Sequence, residues 1–255
     1  MAKCDAFLLW TACGFVLCGS AQAADQTSPA RPAAVVELFT SQGCANCPPA
    51  DAYLSELTRR GDLVTLTFPV DYWDYLGWKD TAAKPEFTAR QKAYATRRGD
   101  RDVFTPQVVV DGEARLVGSD RDGIRREIDR DESGALGVTV DLDAGGDGLR
   151  VHLPEAAAEV AGGPIHATVW LVRFEESRTV TIARGENTGR TLTYSHLVRS
   201  LQPIGMWKGK AVTIELPRQE GPTAGDLGCA VLVQADKDGL PGRILGARLC
   251  TPARI

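Results

Sequence analysis

Between residues 33 and 130 the apolar positions alternate between two rhythms. Val35-Val36-Glu37-Leu38-Phe39-Thr40 reads as a strand. Residues 49–60 place Tyr53, Leu54 and Leu57 at helical spacing. Residues 63–70 are largely apolar, as in a strand buried on both faces. Residues 84–98 predict a helix with Phe87, Gln91 and Tyr94 along one side. Residues 107–110 and 114–117 flank Asp111-Gly112, a strong turn signal, and predict a hairpin. Residues 120–130 close the segment as a helix with Ile124 and Ile128 inward. The first two strands are expected to be parallel, joined by a right-handed crossover.

The rest of the chain has a shorter rhythm. Residues 131–137 read as a linker. Strand-like runs follow at 138–142, 149–153, 165–174, 179–183, 191–201 and 211–216, separated by turn signals such as Asp143-Ala144-Gly145-Gly146. Residues 154–160 read as a short helical insertion or, given Gly162-Gly163, as a loop. A last hairpin runs from 229–234 through a turn at 236–242 and back along 243–250. Centred near Gly239 and Leu240, it sets Cys229 opposite Cys250. Opposed residues of an antiparallel pair stand at disulfide-compatible distance. About seven or eight such strands predict an all-β, sandwich-like domain over 138–255.

Composition adds bounds. The 255 residues are 44% hydrophobic and 24% charged, enough for one large or two modest domains. The formal net charge is -4. No basic stripe is present, so nucleic acid is not an expected partner. The first residues read as a leader. Lys3 is followed by an apolar run over 6–18 and by the small residues of Ala21-Gln22-Ala23. This is the pattern of a secretory signal peptide, residues 1–23, cut after Ala23; the alternative is an N-terminal anchor. A periplasmic or secreted product is expected, with no membrane contact after cleavage.

Cleavage removes Cys4, Cys13 and Cys18 and leaves Cys44, Cys47, Cys229 and Cys250, an even number suited to an oxidising compartment. Four cysteines allow three pairings. Position favours Cys44 with Cys47 and Cys229 with Cys250, the first chemical and the second structural. Cys44-Ala45-Asn46-Cys47 lies between a predicted strand and a predicted helix, the setting of a thioredoxin-like redox motif. Zinc sites share the C-x-x-C spacing but need a second Cys or His pair, and none lies nearby.

The strand-to-helix cysteine pair, the Thr105-Pro106 step before the third strand and the closing hairpin and helix resemble the thioredoxin-like superfamily over about half of the chain beyond the leader. That resemblance implies a cis bond before Pro106 and a proline facing the disulfide. Three longer stretches carry a narrower likeness: Glu37-Leu38-Phe39-Thr40-Ser41-Gln42-Gly43-Cys44, Asp71-Tyr72-Trp73-Asp74-Tyr75-Leu76-Gly77-Trp78 and Arg184-Gly185-Glu186-Asn187-Thr188-Gly189-Arg190. Together they resemble a secreted bacterial thioredoxin-like family known as domain of unknown function twelve twenty-three. The expected fold is an α/β thioredoxin-like domain at 33–130 followed by the sandwich-like domain at 138–255.

The chemistry expected of the motif is thiol–disulfide exchange. Cys44 is the attacking thiolate and Cys47 resolves the mixed disulfide. A helix start stabilises a thiolate through its free N–H groups and dipole. Pro48-Pro49 disfavours helical angles just before each proline, so regular helix is expected near Pro48 or Pro49, with Cys47 close to the cap. Cys44 then gains less, and a less acidic nucleophile is expected than in strongly oxidising relatives. Pro106 and Thr105 are expected to hold a substrate strand. Asp71, Tyr72, Trp73, Asp74 and Trp78 are expected to form a lip beside the disulfide, or a carboxylate of Asp71, Asp74 or Asp80 to act as proton acceptor for Cys47; the competing expectation packs the aromatics into the domain interface. Residues 184–190 read either as a solvated loop or as a segment that reaches the first half and shapes its cleft.

No cofactor beyond the Cys44–Cys47 disulfide is expected, and no metal site. Partners are protein or small-molecule thiols and disulfides, with an unnamed redox partner. Two alternatives stay open. Two thiolates suit Cu(I), although none of His152, His166 and His196 lies near the third strand, where copper carriers of this type add a histidine. The other is a binding protein in which the disulfide is structural.

Overall fold

The structure, a computed structural model, describes residues 31–130, 136–145, 148–156, 165–217 and 227–250. The expected leader at 1–23 lies outside the described residues. The first half gives β1 (Ala34–Thr40), α1 (Pro48–Thr58), β2 (Leu63–Pro69), α2 (Pro85–Arg98), β3 (Gln107–Val110), β4 (Ala114–Val117) and α3 (Arg121–Arg130). The second gives β5 (Asp141–Gly145), β6 (Gly148–Leu153), β7 (Ala167–Thr181), β8 (Thr191–Trp207), β9 (Val212–Pro217), β10 (Leu227–Lys237) and β11 (Leu240–Cys250).

Eight of the strands form one sheet in the order β11-β10-β7-β8-β2-β1-β3-β4, and β5-β6-β9 form a second. β1 and β2 are parallel, with β3 antiparallel on the far side of β1. The large sheet passes through both halves of the chain. β2 pairs with β8 in parallel at Thr67 and Leu197, so strands on either side of the expected linker share an edge. Residues 131–135 of that linker lie outside the described residues.

Alternation along the strands assigns the layers. Val35 and Phe39 of β1 face Phe87 and Tyr94 of α2, in a core that also takes Phe68, Phe174, Leu232 and Ile244. Val36 and Leu38 face the other way, against Tyr53, Leu54 and Leu57 of α1 and Ile124 and Ile128 of α3. The same alternation in β10 turns Ala230 and Leu232 toward α2 and Val231 and Val233 toward Leu149 and Val151 of the small sheet. β1 and β2 thus bury both faces, which is why they carry few polar residues.

Glu37 is the exception, and its charge is matched. It is fully buried, and its carboxylate accepts from Arg90 Nε at 2.8 Å and from the Tyr94 hydroxyl at 2.5 Å. Arg90 also donates to Gln234 Oε1 of β10 at 3.0 Å and lies over the Tyr94 ring, 5.0 Å from its centroid. The cluster ties β1, α2 and β10 together through hydrogen bonds that a buried charge requires.

Two expectations change. The separate strands at 165–174 and 179–183 are one strand, β7. The polar stretch between them is paired, Ser177 with Ser195 and Arg178 with Tyr194; it is polar because it projects past the sheet, not because the chain turns there. The strand expected at 138–142 starts at Asp141, while Val138 donates its N–H to the Leu245 carbonyl at 2.8 Å. The Cys229–Cys250 register is as expected, and the two are disulfide-bonded.

Candidate functional site

Cys44 and Cys47 form a disulfide at the carboxyl end of β1, in a turn that enters α1. The turn is closed by Cys44 N–H to the Ser41 carbonyl and by Cys47 N–H to the Cys44 carbonyl, both 3.2 Å. Regular helix starts at Pro48, with Cys47 as its cap. Pro48 and Pro49 carry no N–H, and the next two, of Ala50 and Asp51, both donate to the Cys47 carbonyl. The helix start therefore keeps few amides to offer a thiolate at Cys44.

Both cysteines are buried, Cys44 1% and Cys47 0% exposed, although Ala45 and Asn46 between them are exposed. Part of what surrounds their turn comes from the second half of the chain. Past residue 175, β7 no longer pairs with β10, and before residue 197, β8 does not pair with β2. Among the described residues, 176–181 and 191–196 pair with each other alone and form a two-stranded arm. Its tip, residues 184–190, reaches the disulfide. Asn187 is fully buried there, and its side-chain amide donates to the carbonyls of Gln42 and Cys44, each at 2.9 Å. Glu186 accepts from the Ala45 N–H at 3.3 Å. Gly185 has φ of +81°, and a Cβ on it would stand 3.2 Å from that of Trp78. The tip reaches the first half, as one of the two sequence expectations had it.

On the other side of Cys47 lies a buried carboxyl. Asp51 is one helical turn on, hence on the same face, and is 5% exposed. Among the described residues neither of its side-chain oxygens has a partner in good hydrogen-bond geometry, although the Thr40 hydroxyl lies near enough to act on it, and the Tyr194 hydroxyl has none. Burial pushes the Asp51 carboxyl up to about 8; the nearby Thr40 hydroxyl opposes this and the Asp80 charge adds to it. Asp51 also borders a groove of about 670 Å³ between α1 and the arm, lined by Pro48, Ser55, Thr191, Thr193 and Ser195 among others. Asp51 and Tyr194 escaped the sequence reading. The signal for Asp51 was its place four residues after Cys47; Tyr194 carried none.

The 71–78 loop is held to the first half at several points. Trp73 donates its indole N–H to the Thr105 hydroxyl at 2.7 Å, which joins an expected lip residue to one expected to hold a substrate strand. Its Cβ also lies 3.1 Å from where one on Gly43 would stand. Trp78 donates to Gln42 Oε1 at 2.9 Å, and Asp71 accepts from the Thr88 hydroxyl at 2.6 Å. Asp74 accepts from the Asp80 N–H at 3.0 Å. Tyr72 packs on the α2 core, where burial pushes its hydroxyl up to about 12. The polar atoms of Trp73 and Trp78 are thus used internally. The Thr105–Pro106 bond is cis. Gly118 donates its N–H to the Pro106 carbonyl at 2.9 Å, and its Cα side faces both Pro106 and Ala50, which sets the proline beside the first turn of α1.

The histidines lie apart from the disulfide. His196 has φ of +45° and bridges β2 and the arm, through Nδ1 to Thr65 and Nε2 to Glu176 at 3.2 Å. His152 meets Thr213, and His166 is exposed at the start of β7. Among the described residues no group of three or more His, Cys, Asp or Glu is placed to hold a metal ion.

A family described as Protein of unknown function (DUF1223) matches residues 35–234. The chain belongs to that family. The match takes in both cysteines of the turn, the 71–78 loop and the tip of the arm. Among solved structures, protein AGR_C_4864 from Agrobacterium tumefaciens is 35% identical, with a TM-score of 0.75 over 89% of this chain and 97% of its own. HBP35 of Porphyromonas gingivalis has a TM-score of 0.58 at 14% identity, over 88% of this chain and 76% of its own; that likeness is one of fold alone. No curated protein matches the chain.

Proposed function

We propose that this member of the family is an exported, thioredoxin-like thiol–disulfide exchange protein. The observation that carries the reading is the Cys44–Cys47 disulfide in the turn between β1 and α1, with the Asp51 carboxyl one helical turn beyond Cys47. The order of strands and helices through α3 supports the thioredoxin-like assignment. Two disulfides fit an oxidising compartment, which supports export to the periplasm or beyond.

The steps balance. A substrate thiolate attacks Cys44 Sγ, forming a mixed disulfide and breaking the Cys44–Cys47 bond. Cys47 leaves as a thiolate and takes a proton from the Asp51 carboxyl. A second substrate thiolate attacks the substrate sulfur of the mixed disulfide and expels Cys44. The substrate is oxidised by two electrons and the protein reduced by two. In reverse, Asp51 carboxylate takes the Cys47 proton, and the Cys47 thiolate attacks Cys44 to expel the reduced substrate. A carboxyl held near 8 is matched to an ordinary thiol near 8.5, the condition for efficient proton transfer between them. The groove beside Asp51 connects that proton to solvent. Trp73 and Thr105 brace the wall on which Pro106 would hold a substrate backbone.

The test is equilibration of the protein with glutathione buffers, following Cys44 and Cys47 by alkylation. A potential between about -270 and -120 mV, the span of thioredoxin-like exchangers, supports the reading. A bridge below about -300 mV is structural and defeats it. Cys44→Ser should abolish turnover of a dithiol substrate.

A further inference from the structure

Resting on the exchange reading, one more role follows from the tip of the arm. We propose that residues 184–190 form a cap latched by Asn187, and that this residue sets how fast any thiol reaches Cys44. Exchange requires a thiolate to meet a disulfide sulfur directly, and neither sulfur's residue is exposed. Yet the turn lies only one layer deep, since Ala45 and Asn46 are open to solvent.

The bonds from the tip to that turn are few. They are the two donated by Asn187, to the Gln42 and Cys44 carbonyls, and the one accepted by Glu186 from Ala45. The tip's own structure does not depend on them. Gly189 N–H bonds the Ile182 carbonyl at 2.8 Å, Ile182 N–H bonds the Arg190 carbonyl at 2.9 Å, and Thr188 N–H bonds the Gly185 carbonyl at 3.1 Å. Arg190 donates to Asn187 Oδ1 at 3.0 Å, which turns the amide's donors toward the disulfide. The arm behind the tip is fastened separately. Ile182, Leu192 and Tyr194 pack with Ala82 and Leu197, and Ser195 bonds Ser55. The tip lifts as a unit from a fixed arm, with a cost set largely by Asn187.

The experiment compares wild type with Asn187→Ala and Asn187→Asp in dithiothreitol, reading both bridges separately by alkylation and peptide mass. The aspartate keeps the shape and loses the donors. Both variants should lose Cys44–Cys47 about 30-fold faster than wild type at low reductant, the worth of two ordinary hydrogen bonds, while Cys229–Cys250 keeps its wild-type rate. Equal Cys44–Cys47 rates in all three proteins overturn the cap. So does acceleration of both bridges together, which marks general loosening. A bridge that resists reduction in every folded variant overturns the cap and the exchange reading alike. A bridge that the variants uncover, but whose equilibrium with glutathione lies in the range of structural disulfides, leaves the cap standing and removes only the exchange reading.

Discussion

Asp51 donates its backbone N–H to the Cys47 carbonyl and carries its unpartnered side chain on the Cys47 face of α1. A helix thus holds a buried acid and a buried sulfur in one register, with a groove at the acid's side.

This acid gives stability a pH slope. Its carboxyl titrates near 3.8 in the unfolded chain and about 8 in the fold. The stabilisation is whole below about pH 4 and is lost progressively as pH rises to about 8. Asp51→Asn should remove that slope and raise stability at pH 7 by on the order of 3 kcal/mol. Urea midpoints at pH 4, 6 and 8 check it. The same variant should slow exchange about 100-fold by removing the proton partner of Cys47.

The Glu37–Arg90 pair calls for the opposite outcome. Glu37→Gln keeps the shape but leaves the Arg90 charge buried without its carboxylate. A loss of about 3–5 kcal/mol is expected, read as a lower urea midpoint with an unchanged slope.

Cys229 and Cys250 close a loop with a sequence separation of 21. Replacing both with serine should cost about 3 kcal/mol through the freedom returned to the unfolded chain. Thermal unfolding of oxidised wild type against the double variant measures it. The glutathione equilibrium of Cys44–Cys47 should stay where it was.

Gly185 and Gly189 offer a matched comparison. Both have φ near +80°, but a Cβ at Gly185 meets Trp78 while one at Gly189 meets nothing within 4 Å. Gly185→Ala and Gly189→Ala carry a similar left-handed penalty of about 1–2 kcal/mol. Only the first should also displace the tip and speed reduction of Cys44–Cys47. Equal reduction rates would show that the Trp78 contact does not seat the tip.

Much of this was legible in the chain. Apolar period found α1, α2 and α3, and Asp111-Gly112 found the β3–β4 hairpin. The late start of α1 followed from Pro48-Pro49, since a proline constrains the residue before it. The arm was not legible. Its polar stretch at 175–178 has the composition of a turn, and only pairing across to β8 keeps it extended. The role of Asn187 was half visible: its loop stood out, but a contact across 143 positions, to the Cys44 carbonyl, leaves no local trace. Asp51 hid for another reason. A carboxylate in a first helical turn ordinarily answers the helix dipole, and nothing nearby in sequence tells that the arm buries it.

The single parallel pairing between Thr67 and Leu197 bears on how the chain can be dissected. A fragment cut at the expected linker would carry the cysteine turn intact and still be a different object. β2 would become a bare, apolar edge open to pairing with other chains. The cysteine turn would lose its bonds to Asn187 and Glu186, and Arg90 its bond to Gln234. Reactivity measured on such a piece would describe an unguarded sulfur pair rather than the protein. The second half of the chain is, in that sense, part of the setting in which the first half's disulfide has to be measured.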